Sequence, residues 1–212
     1  MNVQVSEILK YLGYSGQKLE PAFLAEIDAA IEKVRSIARP KHVYRLFELT
    51  SLDSLLQGQD IKHHVKGAEK VLLMAATLGN EVDFFIRQLQ NSDVKQAAII
   101  DAAASSTIEA YLDGLEESLR AEYLLKGLFL SARFSPGYGD FPLSVQQDFL
   151  TLLDAHRRIG LSLGKSGIMS PLKSVTCVMV LTKQAASLAT DSCSICKLRE
   201  SCTLRRRGLR CK

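Results

Sequence analysis

Apolar side chains recur at Phe23, Leu24, Ile27, Ile31, Val34 and Ile37, the spacing of one helix face, and Pro40 ends the run. Val43–Leu49 is short and rich in β-forming residues, which predicts a strand. Asp60–Lys66 suits a helical turn. Val71–Leu78 is a nearly continuous apolar run closed by Gly79, the pattern of a buried strand. Asn80 is placed to cap a helix carrying Val82, Phe85, Ile86 and Leu89. A longer, Ala-rich helix starts near Ser92 and runs to about Tyr123, with Ile99, Ala103, Ile108, Leu112, Leu115 and Leu119 on one side. Leu128–Phe134 is again strand-like. Ser144 and Gln147 form a capping box for a helix with Val145, Phe149, Leu152, His156 and Ile159 on one face. Ser174–Thr182 is the last strand. Together these elements predict one α+β domain over residues 1–190, with a mainly antiparallel, twisted sheet of four or five strands flanked by helices. A Cys-rich tail follows at 191–212, and no repeat or linker precedes it.

Composition adds little to that picture, but charge and cysteine placement do. With 212 residues, 47% of them hydrophobic, the chain can bury a core without staples. The formal net charge is +4, yet Cys193–Lys212 holds seven Lys/Arg and one Glu, so the tail is +6 and residues 1–192 are −2. The body offers no broad positive face for nucleic acid, and a nucleic-acid role falls to the basic tail alone, a weak third reading. No segment reaches the roughly 18 apolar residues of a membrane span. The start lacks the basic and apolar blocks of a signal peptide. Five cysteines, four of them in the tail, do not form an extracellular disulfide framework. The expectation is a soluble, cytoplasmic protein.

Three places carry candidate chemistry. In Arg133-Phe134-Ser135-Pro136-Gly137-Tyr138-Gly139-Asp140, Pro and Gly at the second and third positions of Ser-Pro-Gly-Tyr predict a type II turn where a strand runs out. Gly137 and Gly139 permit close backbone approach by a ligand. Arg133 offers a donor fork for a carboxylate, and Tyr138 a ring for a cation. A plain tight turn with a surface Arg is the alternative. Next, Asp154-Ala155-His156-Arg157-Arg158-Ile159-Gly160 approaches the Asp-x-His-x-x-Gly pattern of cobalamin ligation, but has one residue too many and lies in a helix. His156 therefore reads as a half-buried structural histidine. His63 and His64 are adjacent and point apart on a helix. Last, the tail places Cys193, Cys196, Cys202 and Cys211 where thiolates could bind zinc or an iron–sulfur cluster, with free thiols as the alternative. Cys177 reads as a small core residue. Gly160-x3-Gly164-Lys165-Ser166 lacks P-loop spacing, and nothing supplies an independent nucleophile or acid–base pair.

The stretch RFSPGYGDFP resembles the Arg-x-x-x-Gly-Tyr signature of the activation domain of cobalamin-dependent methionine synthase. EILKYLGYSGQ, QGQDIKHHVKGAEKVLLMAATLGNEVD, DAAASSTIEAYLD and MSPLKSVTCV are similar to stretches of freestanding relatives, so the resemblance spans roughly residues 5–185. It implies S-adenosylmethionine binding and reductive remethylation of cob(II)alamin, with cobalamin carried by a partner methionine synthase that lacks its own activation domain. A reductant such as flavodoxin or ferredoxin would supply the electron. Carried over by residue, Arg133 would hold the methionine carboxylate, Ser135 and Gly137 would offer backbone contacts, Tyr138 would lie by the ligand, and Glu109 would face its ammonium. One departure is Thr182–Leu188, which has no aromatic residue where the full-length enzymes carry a tyrosine loop. The alternative is an electron-transfer or binding accessory protein for another corrinoid methyltransferase, working through the Cys tail without S-adenosylmethionine.

Overall fold

The computed structural model describes residues 2–14, 16–184 and 200. Helices α1 (Val5–Tyr11) and α2 (Pro21–Ile37) precede strand β1 (Lys41–Phe47). A 3-10 turn at Leu49–Leu52 and helix α3 (Gln59–His64) lead to β2 (Lys70–Thr77). Helices α4 (Asn80–Gln90) and α5 (Val94–Leu124) come before the two-residue strand β3 (Phe129–Leu130). A second 3-10 turn, Leu143–Val145, runs into α6 (Gln146–Leu152) and α7 (Ala155–Ile159). The short strands β4 (Ser162–Leu163) and β5 (Met169–Ser170) form a separate ribbon before β6 (Ser174–Thr182).

The sheet is four-stranded and antiparallel, in the order β1-β2-β6-β3. Its central strands are covered on both faces, which explains their continuous apolar sequences. On one face Leu72, Met74, Ala76, Cys177, Met179 and Leu181 pack against α1, α2, α4 and α5. On the other Val71, Leu73, Ala75, Val178 and Val180 pack against α3, α6 and α7. Side-chain alternation along β2 and β6 separates the two cores. Met74 pairs with Cys177, and that thiol is fully buried, as its sequence setting predicts.

Helix α5 is the long spine of the first layer. Ile99, Ala103, Ile108, Leu112 and Leu119 are buried along it and Leu115 is partly so, the face its sequence predicts. Asp93 caps it by accepting a hydrogen bond from Gln96 N at 2.9 Å. Among the described residues, no helix is long and apolar enough to cross a membrane.

Several local expectations need correction. Helix α1 was not among the elements the sequence pattern predicted, although Ile8 is fully buried and Val5, Leu9 and Leu12 pack beside it. Gly79, with φ +89°, is the N-cap of α4, so Asn80 is already inside the helix and does not cap it. The strand expected at Leu128–Phe134 is reduced to β3 and one isolated bridge between Phe134 and Val178. The cause is Ser131, whose Oγ accepts from Val180 N at 2.9 Å in place of a backbone carbonyl. Ser144 makes no capping box, because it lies within the 3-10 turn and Val145 precedes α6 without a side-chain cap. The single helix expected after it is broken by Asp154 at φ +50°. The break changes the buried phase: Leu153, Ala155 and Ile159 are buried, while His156 is exposed rather than half-buried.

Truncating the α5 cap isolates one of these devices. Asp93→Ala leaves the Gln96 N–H without its acceptor and is expected to lower stability by about 1 kcal/mol, read as a lower urea midpoint with an unchanged slope.

Candidate functional site

At the sheet edge, strand alternation sends consecutive side chains to opposite layers. Phe134 N donates to Val178 O at 2.9 Å, and Val178 N donates back to Phe134 O at 2.8 Å. That bridge turns the Phe134 ring toward the second core, where it lies 5.2 Å from the His64 ring and 6.1 Å from that of Phe141. Arg133 goes to the α5 side. Its Nη1 donates to Glu116 Oε2 at 2.9 Å, and its Nη2 donates to Asp113 Oδ1 at 2.9 Å and Glu109 Oε2 at 3.1 Å. Glu109, Asp113 and Glu116 stand at i, i+4 and i+7 of α5, so a single helix face meets the guanidinium.

The Arg133 side chain is only 13% exposed. Burial opposes its charge, but the hydrogen bond to Asp113 and the charges of Glu116 and Glu109 outweigh it and hold the guanidinium above its ordinary value. Glu116 is shared, since its Oε1 also accepts from Arg120 Nη2 at 2.6 Å. Arg120 in turn donates to the Leu130 carbonyl on β3. The ion network therefore ties the sheet edge to α5 at two points ahead of the turn, Leu130 and Arg133.

The turn itself forms as its sequence predicts. Tyr138 N donates to Ser135 O at 3.2 Å, with Pro136 second and Gly137 third at φ +92°. Ser135 is partly buried, whereas Gly137 and Tyr138 face outward. A reciprocal aspartate staple then fixes the loop on α3. Asp140 Oδ2 accepts from Gln59 N at 2.8 Å and Asp140 Oδ1 from Asp60 N at 2.9 Å, while Asp60 Oδ2 accepts from Asp140 N at 3.0 Å. The approach is so close that a Cβ on Gly139, at φ +57°, would lie 2.1 Å from Asp60 Oδ2. The second staple member is His64, whose Nε2 lies 3.2 Å from Ser131 Oγ. Burial, with a smaller contribution from His63, pushes its imidazole down to about 4, so it is neutral at pH 7.

Beside this loop, a cleft of about 440 Å³, counting its open mouth, lies between α1 and α5. Glu7 and Tyr11 line it from α1, and Ser106, Glu109 and Asp113 from α5. Its charged lining is carboxylate, and Arg133 stands behind Glu109 and Asp113 as their partner. A zwitterion with an additional cationic centre matches this donor set: carboxylates for the cationic groups and a guanidinium for an acid. Arg133 and Glu109 are thus brought together, and Ser135, Gly137 and Tyr138 share the loop that follows Arg133. Glu116, Asp113, Tyr11 and Glu7 belong to the same assembly and were not anticipated. The i, i+4, i+7 acidic spacing and the Val5-Ile8-Leu9-Leu12 periodicity were the available signals. Cys193, Cys196, Cys202 and Cys211 lie outside the described residues, and among the described residues no group of His, Cys, Asp and Glu is arranged to hold a metal ion.

Comparison with known proteins adds three findings. The family model described as vitamin B12-dependent methionine synthase, activation domain, matches residues 63–200. The fold is similar to a crystal structure of the MetH reactivation domain bound to AdoHcy, at 15% identity and a TM-score of 0.59, covering 99% of this chain and 78% of that one. No curated protein sequence matches.

The His64 staple carries a pH dependence of definite sign. From pH 6.5 down to about 4 the unfolded chain takes up a proton at this position that the native imidazole refuses. Stability is therefore complete above pH 6.5 and falls through that window, by on the order of 2–3 kcal/mol for this group. Urea midpoints measured at neutral and at mildly acidic pH should show the gap between wild type and His64→Gln closing as the pH is lowered.

Proposed function

The chain belongs to the family of the activation domain of vitamin B12-dependent methionine synthase, and on that premise we propose that it binds S-adenosylmethionine in the cleft between α1 and α5 for the reductive reactivation of a partner methionine synthase. The observation that carries this reading is the pairing of Arg133, from the sheet edge, with Glu109, which lines the acidic cleft from α5. Arg133 holds the ligand's carboxylate, exchanging one of its three acidic partners for it. Glu109 pairs with the α-ammonium. Ser135 and Gly137 contribute backbone groups, and Tyr138 stands exposed at the loop tip. When bound, S-adenosylmethionine supplies the methyl group. Cobalamin belongs to the partner, as does the surface that completes the site. The electron comes from a reductant such as flavodoxin or ferredoxin. The chain's own task is placement, which accelerates a reaction by fixing the approach of reacting groups.

One observation favours a second reading. Both terminal nitrogens of Arg133 already have carboxylate partners, so a ligand acid has to displace one. A domain that had lost S-adenosylmethionine and served as an electron-transfer or docking accessory for another corrinoid methyltransferase could keep this closed network. Calorimetry separates the two. Binding of S-adenosylmethionine, lost at least tenfold in Arg133→Ala and partly restored in Arg133→Lys, supports the first reading. No binding, with or without a cobalamin-loaded methionine synthase, supports the second.

The tail adds a further proposed element. Cys193, Cys196, Cys202 and Cys211 supply four sulfur donors, a set suited to zinc or an iron–sulfur cluster, within a stretch of charge +6. Anaerobically purified protein should contain zinc, or iron with sulfide, and Cys193→Ser with Cys196→Ser should remove it. A colourless, metal-free protein after reconstitution would sink the idea.

A further inference from the structure

Tyr11 has no role in the binding scheme above, yet it lines the cleft. It closes α1 and is 53% exposed, beside Glu7, Glu109 and Asp113. Its hydroxyl is pushed up to about 12 by burial and by the charges of Glu109 and Glu7, and Tyr138 is close enough to add to the effect. Two exposed tyrosines, one on α1 and one at the loop tip, thus stand near each other, and Tyr11 is the one that lines the cleft. Lys10 and Arg133, the cations that pair with Glu7, Glu109 and Asp113, are not among the residues lining the cleft.

Ring and carboxylates together suit a particular kind of cation. An ammonium satisfies itself by donating hydrogen bonds to carboxylate oxygens. A sulfonium has no N–H to donate, so it gains from an aromatic face and from the field of nearby negative charge. S-adenosylmethionine and S-adenosylhomocysteine differ by one methyl group and one positive charge at sulfur. A site that fills with carboxylates alone would recognise the amino-acid portion of both. A ring beside those carboxylates distinguishes them.

We infer that Tyr11 and Asp113 are specificity-determining residues that select the sulfonium form of the ligand over the thioether, Tyr11 as the aromatic wall and Asp113 as the nearby negative charge. This rests on the proposed S-adenosylmethionine site. Geometry supports it from two directions: the cleft reaches Tyr11 and Asp113 from opposite helices, and Asp113 stays 47% exposed although it accepts from Arg133. Asp113 can therefore act on a ligand without being released from its partner.

The test is titration calorimetry of the full chain with S-adenosylmethionine and, separately, with S-adenosylhomocysteine. Tyr11→Leu should weaken the sulfonium about five- to tenfold and leave the thioether within about twofold, and Tyr11→Phe should keep the wild-type preference. Asp113→Asn, which keeps an oxygen for Arg133, should narrow the preference in the same direction and should do so more at low salt. Circular dichroism checks that each variant is folded. Should Tyr11→Leu disturb α1, the Tyr11→Phe and Asp113→Asn pair still decides. Equal loss of both ligands in Tyr11→Leu and Asp113→Asn, or no change in either, overturns the selectivity while leaving the site intact. Wild type that binds neither ligand, alone or with the partner, overturns the site and the selectivity together.

Discussion

One half-buried guanidinium organises this molecule. Arg133 leaves the sheet edge on the side opposite Phe134 and is met by Glu109, Asp113 and Glu116 from one face of α5. A charge this buried is tolerated only when its partners compensate for lost water. The compensation has a topological consequence. Strand β3 is only two residues long and makes few ladder bonds of its own. Its position is set by the ion network, by the Phe134–Val178 bridge and by Ser131, which reaches across to Val180. The loop after Arg133 starts from a fixed point for that reason, and the cleft between α1 and α5 inherits its charged wall from the same contacts.

The loop is held at its other end by backbone chemistry rather than by apolar packing. Asp140 and Asp60 exchange side-chain acceptors for each other's N–H groups, or for a neighbour's, across 80 residues of sequence. Such an exchange needs the two chains in near contact, so glycine is required at 139, where any side chain would occupy the Asp60 carboxylate. A neutral His64 against Phe134 and Ser131 completes the attachment without adding a charge to it. The exposed Tyr138 then sits at the tip of a loop that is fixed at its base.

Much of this was legible in the sequence, and the losses have identifiable causes. The two central strands were readable because burial on both faces leaves uninterrupted apolar runs at 71–78 and 174–182. Helices α2 and α5 were readable because each keeps one apolar face for several turns. The Ser135–Tyr138 turn followed from Pro and Gly in order. Helix α1 spans only seven residues and its apolar positions are mixed with polar ones, so its pattern is weak until α5 is present to receive Ile8. The break at Asp154 depends on a left-handed backbone in a residue other than glycine, which local pattern does not announce. For the site, Arg133 was named from its donor fork beside the turn, and Glu109 through resemblance to a family. The part played by Asp113 and Glu116 is a matter of three-dimensional proximity, because their partner lies 20 and 17 residues away in sequence.

The distribution of ionisable groups also limits what kind of work the described residues do. Burial pushes the Cys177 thiol up to about 12, so at neutral pH it is a packing sulfur and not a nucleophile. The His64 imidazole is neutral and engaged with Ser131. Asp83 is buried, its carboxyl raised by desolvation, and it accepts from Leu172 N at 2.6 Å to hold the loop before β6. Each is occupied with structure, and none stands at the cleft. What does stand there is a set of carboxylates, Glu7, Glu109 and Asp113, with Tyr11 beside them and the Arg133 guanidinium behind two of them. Carboxylates held in place by a guanidinium bind and orient a charged molecule, and that is the chemistry this cleft offers.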